Sequence, residues 1–217
     1  MIERSIAAAT HGRYLVSAPP VEDAVPLLVG FHGYAEAAEA QIERLQGIPG
    51  AGRWLVVSIQ GLNRFYQRRT NEVIAGWMTR QDRELAIADN IRYVAEVVDA
   101  AAREHAVRGG IVYAGFSQGV SMAFRAAAAS TRPVAGVIAV GGDVPPEISQ
   151  TSLARLGAAL LCRGLRDEWY TAAAFQKDAD RLRTAGVSLR SLEYTGGHEW
   201  SPAVQEAAAA FLRERNP

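Results

Sequence analysis

Seven short apolar runs, at 13–19, 26–33, 54–61, 110–117, 134–142, 158–164 and 188–194, set a rhythm that constrains the fold more than any other feature of the chain. Most are rich in Val, Ile and Leu and are closed by glycine, as in "PLLVGFHG" and "WLVVSIQG". Continuous apolar character, rather than strict alternation, suits strands covered on both faces in a parallel sheet. Helical patterns lie between the runs at 35–45, 83–105, 118–130, 171–186 and 202–215. The longest of them repeats Ile87, Ile91, Val94 and Val98 at three- or four-residue steps, a stripe that needs a sheet to cover it. Strand–helix alternation of this kind predicts an α/β fold with a mostly parallel central sheet and helices on both faces. The first run, together with "ERSIAAA" before His11-Gly12, predicts an antiparallel hairpin at the N-terminal edge.

No linker, repeat or low-complexity tract divides the 217 residues, so a single domain over 1–217 with no inserted lid domain is expected. One segment, 62–82, is long for a connection and has little periodicity. Phe65, Tyr66, Trp77 and Met78 argue against disorder there and leave two readings open, a fixed pocket wall and a mobile flap. Acidic and basic side chains balance at 23 each, so no global field favours nucleic acid or an anionic membrane. The N-terminus lacks a basic start followed by an apolar stretch, and no run approaches the roughly 20 apolar residues of a membrane span. The expectation is a soluble, cytoplasmic protein. The lone cysteine, Cys162 in "AALLCRG", forms no internal disulfide and reads as a buried, inert thiol.

Chemistry concentrates at Tyr113–Gly119, "YAGFSQG", where Ser117 sits between two glycines. An apolar strand enters the motif and a helical pattern leaves it. That setting exposes a serine on a sharp turn at the end of a sheet. The helix also aims its N-terminus at the site, which favours developing negative charge.

A serine hydroxyl needs an imidazole to take its proton and a carboxylate to hold that imidazole in one tautomer. Of the four histidines, His11 lies in the expected hairpin turn, His105 closes a helix and His32 follows a strand. His198, in the glycine-rich "YTGGHEWS", is the one that follows both the serine and a suitable acid, the chain order of this strand–turn–helix arrangement. Two acids follow strands in the right interval: Asp167 in "GLRDEWY" and Asp143 in "VGGDVPPE". Asp167 is preferred because its strand is nearer the histidine loop, and Asp143 stays open as the rival. Backbone N–H groups of Gln118 and Tyr34 are the expected oxyanion donors.

"FHGY" at 31–34, "GFSQG" at 115–119, "GLRD" at 164–167 and "GGHEW" at 196–200 together resemble the α/β-hydrolase superfamily. Within it they resemble the phospholipase/carboxylesterase group that includes acyl-protein thioesterases. The resemblance covers nearly the whole chain and implies Ser117 as nucleophile, Asp167 as acid, His198 as base, and Tyr34 and Gln118 as oxyanion donors. Two stretches depart from the group's pattern. Its esterases carry a glycine and an acid soon after the His-Gly pair, which "HGYAEAAEA" does not follow closely, and 62–82 lacks a clean match to their acyl-binding loop, although Trp77 is similar to a tryptophan found there.

The expected activity is therefore a serine hydrolase without metal or cofactor, acting on short- to medium-chain acyl esters or thioesters. Phe65, Trp77, Met78, Trp169 and Trp200 are the candidate pocket residues. A peptidase-like hydrolase and a catalytically silent binding module are the alternatives. A nucleotide enzyme lacks the G-x-G-x-x-G or P-loop it would need after an early strand.

Overall fold

All seven apolar runs become strands of one sheet in the computed structural model, which describes residues 1–215. The strands are β1 (Tyr14–Ser17), β2 (Leu27–Phe31), β3 (Leu55–Ile59), β6 (Ile111–Phe116), β7 (Val134–Val140), β8 (Ala158–Gly164) and β9 (Ser188–Tyr194). They lie in the order β1-β3-β2-β6-β7-β8-β9, and every neighbouring pair is parallel except β1 with β3. Two further strands, β4 (Asn63–Tyr66) and β5 (Val73–Gly76), pair antiparallel as a separate ribbon. The helices are α1 (Ala38–Gln46), α2 (Arg83–Glu104), α3 (Gln118–Ala129), the short α4 (Gln150–Leu153), α5 (Ala172–Thr184) and α6 (Pro202–Arg215).

Because successive strand residues point to opposite faces, continuous apolar strands supply two cores. On one face Val29, Phe31, Val57, Tyr113, Val137 and Leu161 pack with Val94 and Val98 of α2, Phe124 of α3 and Leu182 of α5. On the other, Leu28, Val56, Val112, Ile138 and Leu160 meet Leu45 of α1 and Phe211 and Leu212 of α6. Phe124 and Phe211 are fully buried, and side chains of this kind each contribute about 1.5–3 kcal/mol by leaving water. Cys162 is also fully buried, and burial pushes its thiol up, away from the reactive thiolate.

Two expectations need correction in detail. The antiparallel edge is present, but its partner is β3, with Tyr14 opposite Ile59 and Ser17 opposite Val56, while residues 1–13 carry no strand. β3 offers an apolar edge, whereas Ala7, Ala8 and Ala9 bring little β propensity and little area to bury. The segment 62–82 is more regular than its periodicity suggests, because 63–76 form the β4–β5 ribbon and its turn. Mutual Ala35–Glu36 and Ala75 backbone bonds of 3.0 and 2.8 Å stitch that ribbon to the loop after β2.

The parallel strands end on one edge of the sheet. His32, Ser117, Gly141 and Leu165 directly follow β2, β6, β7 and β8 there, in the crevice where ligands of α/β sheets bind.

Candidate active site

Ser117 links β6 directly to α3 and has φ +53° and ψ −121°, a conformation L residues rarely adopt. Such strain costs roughly 1–3 kcal/mol and persists where the surroundings over-determine it. Here they do: the Ser117 N–H donates to Val140 O at 2.9 Å, and the motif glycines leave no room for relaxation. A Cβ on Gly115 would fall 2.4 Å from Gly119 O, and one on Gly119 would fall 2.1 Å from Phe31 O and 2.6 Å from His32 O. These contacts are with backbone, which cannot swing aside. Gly119→Ala is therefore expected to destabilise the fold by about 1–3 kcal/mol or more, read as a lower midpoint in urea unfolding. An unchanged midpoint would show that the turn has slack.

His198 Nε2 lies 2.8 Å from Ser117 Oγ, and its Nδ1 lies 2.8 Å from Asp167 Oδ2. With the proton on Nδ1, the ring donates to Asp167 and accepts the Ser117 O–H. Asp167 is 4% exposed, and its other oxygen accepts the N–H groups of Trp169 and Tyr170, both at 2.9 Å. Those bonds aim the carboxylate at the imidazole. The histidine loop is tied to the aspartate loop by Leu165 N–H to Tyr194 O and Arg166 N–H to Gly196 O, at 2.9 and 2.8 Å. Gly141, at φ +66°, passes so close that a Cβ there would be 3.1 Å from His198 Cε1. Phe116 packs its ring against the imidazole with centroids 5.0 Å apart. Asp143 is exposed and follows β7 without reaching His198 Nδ1, which bonds Asp167 instead.

The loop after β2 places Tyr34 at the end of the strand, beside the crevice. The amides on either side of it are consumed, Gly33 N–H by Glu36 Oε2 at 2.7 Å and Ala35 N–H by Ala75 O at 3.0 Å. Tyr34 lies between them, and the Gln118 amide opens α3 close by. Ala35 holds φ +60°, a conformation ordinarily left to glycine, and Glu36 follows it.

His32 directly follows β2. It is fully buried, accepts Gly61 N–H on Nε2 at 3.0 Å and donates from Nδ1 to Gly33 O at 2.7 Å. Burial holds its pKa below the ordinary imidazole value, so it stays neutral and structural.

The five candidate pocket residues do not form one surface. Trp77 is 0% exposed: its ring packs on Phe31 and His32, and its Nε1–H donates to His32 O at 2.8 Å. Its place is in the core, because an indole can bury its area there and still satisfy its one donor. Trp200 packs against the core on the α1–α6 side. Met78 is half-buried, with its sulfur 3.5 Å from Arg125 Nη1. Phe65 is partly exposed with its ring 5.6 Å from that of Tyr34. Trp169 is 84% exposed and borders a cavity of about 440 Å³ with Asp143, Tyr170 and Lys177. The Gln118 side chain has a role the sequence did not signal. It accepts Trp77 N–H at 2.8 Å and donates to Met78 O at 3.3 Å, so the base of the β4–β5 ribbon is fastened to the turn that carries Ser117.

Among solved structures, the chain is similar to a carboxylesterase from Bacillus cereus, at 17% identity over 94% of each chain with a TM-score of 0.76. It is similar to acyl-protein thioesterase 2 from Zea mays, at 17% identity over 94% of this chain and 99% of that one, with a TM-score of 0.71. A phospholipase/carboxylesterase from Dyadobacter fermentans matches at 19% identity over 95% of this chain and 99% of that one, with a TM-score of 0.72. At such identities these likenesses establish the fold. No curated protein sequence matches the chain. The profile of one family, described as phospholipase/carboxylesterase, matches residues 73–216, well over half of the chain. With that match on an α/β-hydrolase fold, the chain belongs to the phospholipase/carboxylesterase family.

Proposed function

We propose that this protein is a serine carboxylic-ester hydrolase, a carboxylesterase or thioesterase that works through an acyl-enzyme on Ser117. The observation that carries the reading is the continuous Ser117–His198–Asp167 hydrogen-bond chain, 2.8 Å at each link, built on a serine with positive φ. Ser117 Oγ attacks the acyl carbon while its proton passes to His198 Nε2. Asp167 keeps the Nδ1 proton in place and stabilises the imidazolium. The N–H groups of Gln118 and Tyr34, together with the N-terminus of α3, hold the oxyanion. Collapse expels the alcohol or thiol, which takes the proton from Nε2. Water then attacks the acyl-enzyme by the same route, returns Ser117 and releases the acid.

A short- to medium-chain acyl substrate suits the surroundings. In sheet order β2 and β7 are the neighbours of the strand that leads into Ser117, with β8 next beyond β7, and the loops after β2 and β8 expose Tyr34 and Trp169. The Phe65 ring lies tilted against that of Tyr34. These rings offer an apolar rim rather than a deep tunnel. No helix among the described residues is long and apolar enough to cross a membrane, and a small-molecule ester is the proposed partner.

Fluorophosphonate labelling read by intact mass tests the nucleophile without presuming a substrate. One adduct on the wild type, lost in His198→Ala, is the expected result, followed by a panel of p-nitrophenyl esters and acyl thioesters graded by chain length. A folded wild type that takes no adduct would sink the hydrolase reading.

A further inference from the structure

Glu36 and Arg44 join the two halves of the site that the reaction must hold in register. Glu36 Oε2 accepts the Gly33 N–H at 2.7 Å, so the carboxylate grips the amide immediately before Tyr34. The same carboxylate takes a bidentate pair of bonds from Arg44, Nη1 to Oε2 at 2.6 Å and Nη2 to Oε1 at 2.5 Å. The Arg44 guanidinium in turn lies 4.3 Å from the centroid of the Phe116 ring, and Phe116 is the ring packed on His198 at 5.0 Å. A fourth tether, from Gln205 Nε2 to Arg44 O at 3.0 Å, binds the start of α1's last turn to α6, the helix that follows the His198 loop. Gly33 itself is wedged between the two groups, since a Cβ there would meet Glu36 Oε2 at 3.0 Å and Phe116 Cδ1 at 3.2 Å.

We infer that Glu36 is a positioning residue that sets the Tyr34 oxyanion amide and, through Arg44 and Phe116, the His198 ring in a single arrangement. The inference rests on the reading of Ser117 and His198 as the reacting groups. Both ends of the chain of contacts touch groups whose placement matters only as charge develops, and a misplacement of about 1 Å at such groups costs on the order of 10²-fold in rate. The ion pair is well suited to the task. Its side chains are 20% and 23% exposed, and a planar guanidinium meets a carboxylate and an aromatic face at once, which a lysine cannot do. Burial alone would push the Glu36 carboxyl up. The hydrogen bonds and charge of Arg44, with the Gly33 N–H, outweigh that and hold it below the usual carboxylate range, so it is anionic where the contacts require.

Removing one partner leaves a half-buried charge uncompensated and destabilises the fold for reasons unrelated to catalysis. The decisive variants therefore remove both charges. Glu36→Leu/Arg44→Met deletes the Gly33 acceptor and the guanidinium, whereas Glu36→Gln/Arg44→Met keeps an acceptor for Gly33. Each is compared with the wild type and with Glu36→Gln for thermal midpoint, fluorophosphonate labelling, and kcat and KM on p-nitrophenyl acetate. The expected result is a midpoint close to wild type in Glu36→Gln/Arg44→Met and one lowered by a few degrees in Glu36→Leu/Arg44→Met, which leaves the buried Gly33 N–H unpaired but the protein folded. Alongside it, kcat falls about 10²-fold in Glu36→Leu/Arg44→Met and less in Glu36→Gln/Arg44→Met, with KM nearly unchanged in both. Recovery of kcat together with the midpoint in Glu36→Leu/Arg44→Met would make the pair merely structural and overturn the inference. A loss confined to KM would overturn it too. A folded wild type that neither labels nor turns over the ester would overturn the underlying hydrolase reading, and this inference with it. A reactive wild type with a fully active Glu36→Leu/Arg44→Met variant overturns the inference alone.

Discussion

Ser117→Ala is expected to lower kcat on an ester substrate by about 10⁶-fold, the scale seen when a serine hydrolase loses its nucleophile. It is also expected to abolish the fluorophosphonate adduct. The physical reason is local. The Ser117 hydroxyl is the group that meets His198 Nε2 at 2.8 Å, and Cβ alone has nothing to attack with. Alanine keeps the backbone at the φ of +53° that the surrounding contacts impose, so the fold should survive with a similar thermal midpoint. The amides of Gln118 and Tyr34 remain, and a residual rate of 10³–10⁴-fold over water from such donors and from binding is typical of triad knockouts, approximately. A variant that keeps more than a small fraction of wild-type turnover, with mass spectrometry excluding contamination, would remove Ser117 from the mechanism.

Asp167→Asn should cost about 10⁴-fold in kcat, because it supplies the wrong tautomer rather than the wrong shape. The asparagine oxygen is drawn to the two N–H groups of Trp169 and Tyr170, which bond Asp167 Oδ1 at 2.9 Å. That turns its NH₂ toward His198 Nδ1 and forces the ring proton onto Nε2, where it can no longer accept from Ser117. Asp143→Asn is the matched control. Asp143 is exposed, and a surface change of this kind should leave kcat within about twofold of wild type. Steady-state kinetics on the two variants side by side checks the pair. Equal losses, or a larger loss at Asp143, would assign the orienting role to the other carboxylate.

Local pattern carried most of the architecture. The strand runs and the stripe Ile87, Ile91, Val94 and Val98 are legible because burial on a sheet face or a helix face imposes a period on the residues themselves. The serine turn was legible for a similar reason. Gly115 and Gly119 stand where a Cβ would strike backbone within 2.4 and 2.1 Å, and that demand leaves its mark at two fixed offsets from Ser117. Chain order also narrowed the imidazole to His198. The β4–β5 ribbon was not legible, since its strands are four residues each and β4 is exposed throughout, leaving almost no apolar period to read. Trp77 misled for the opposite reason: an aromatic beside a candidate site looks the same in sequence whether it lines a pocket or fills the core.

Apolar periodicity determined that this chain builds a mostly parallel sheet with helices on both faces, and the paired glycines around Ser117 determined that it presents a serine on a sharp turn at the carboxyl end of a strand. Tertiary structure decided everything that depends on side chains meeting across long loops. His198 reaches Ser117 across 81 residues and Asp167 across 31, β1 takes β3 as its partner, and Glu36 closes on both Gly33 and Arg44. The division has one cause: an element's period is written in neighbouring residues, whereas a contact between distant residues follows only from how the whole sheet is ordered and which loops its ends bring together.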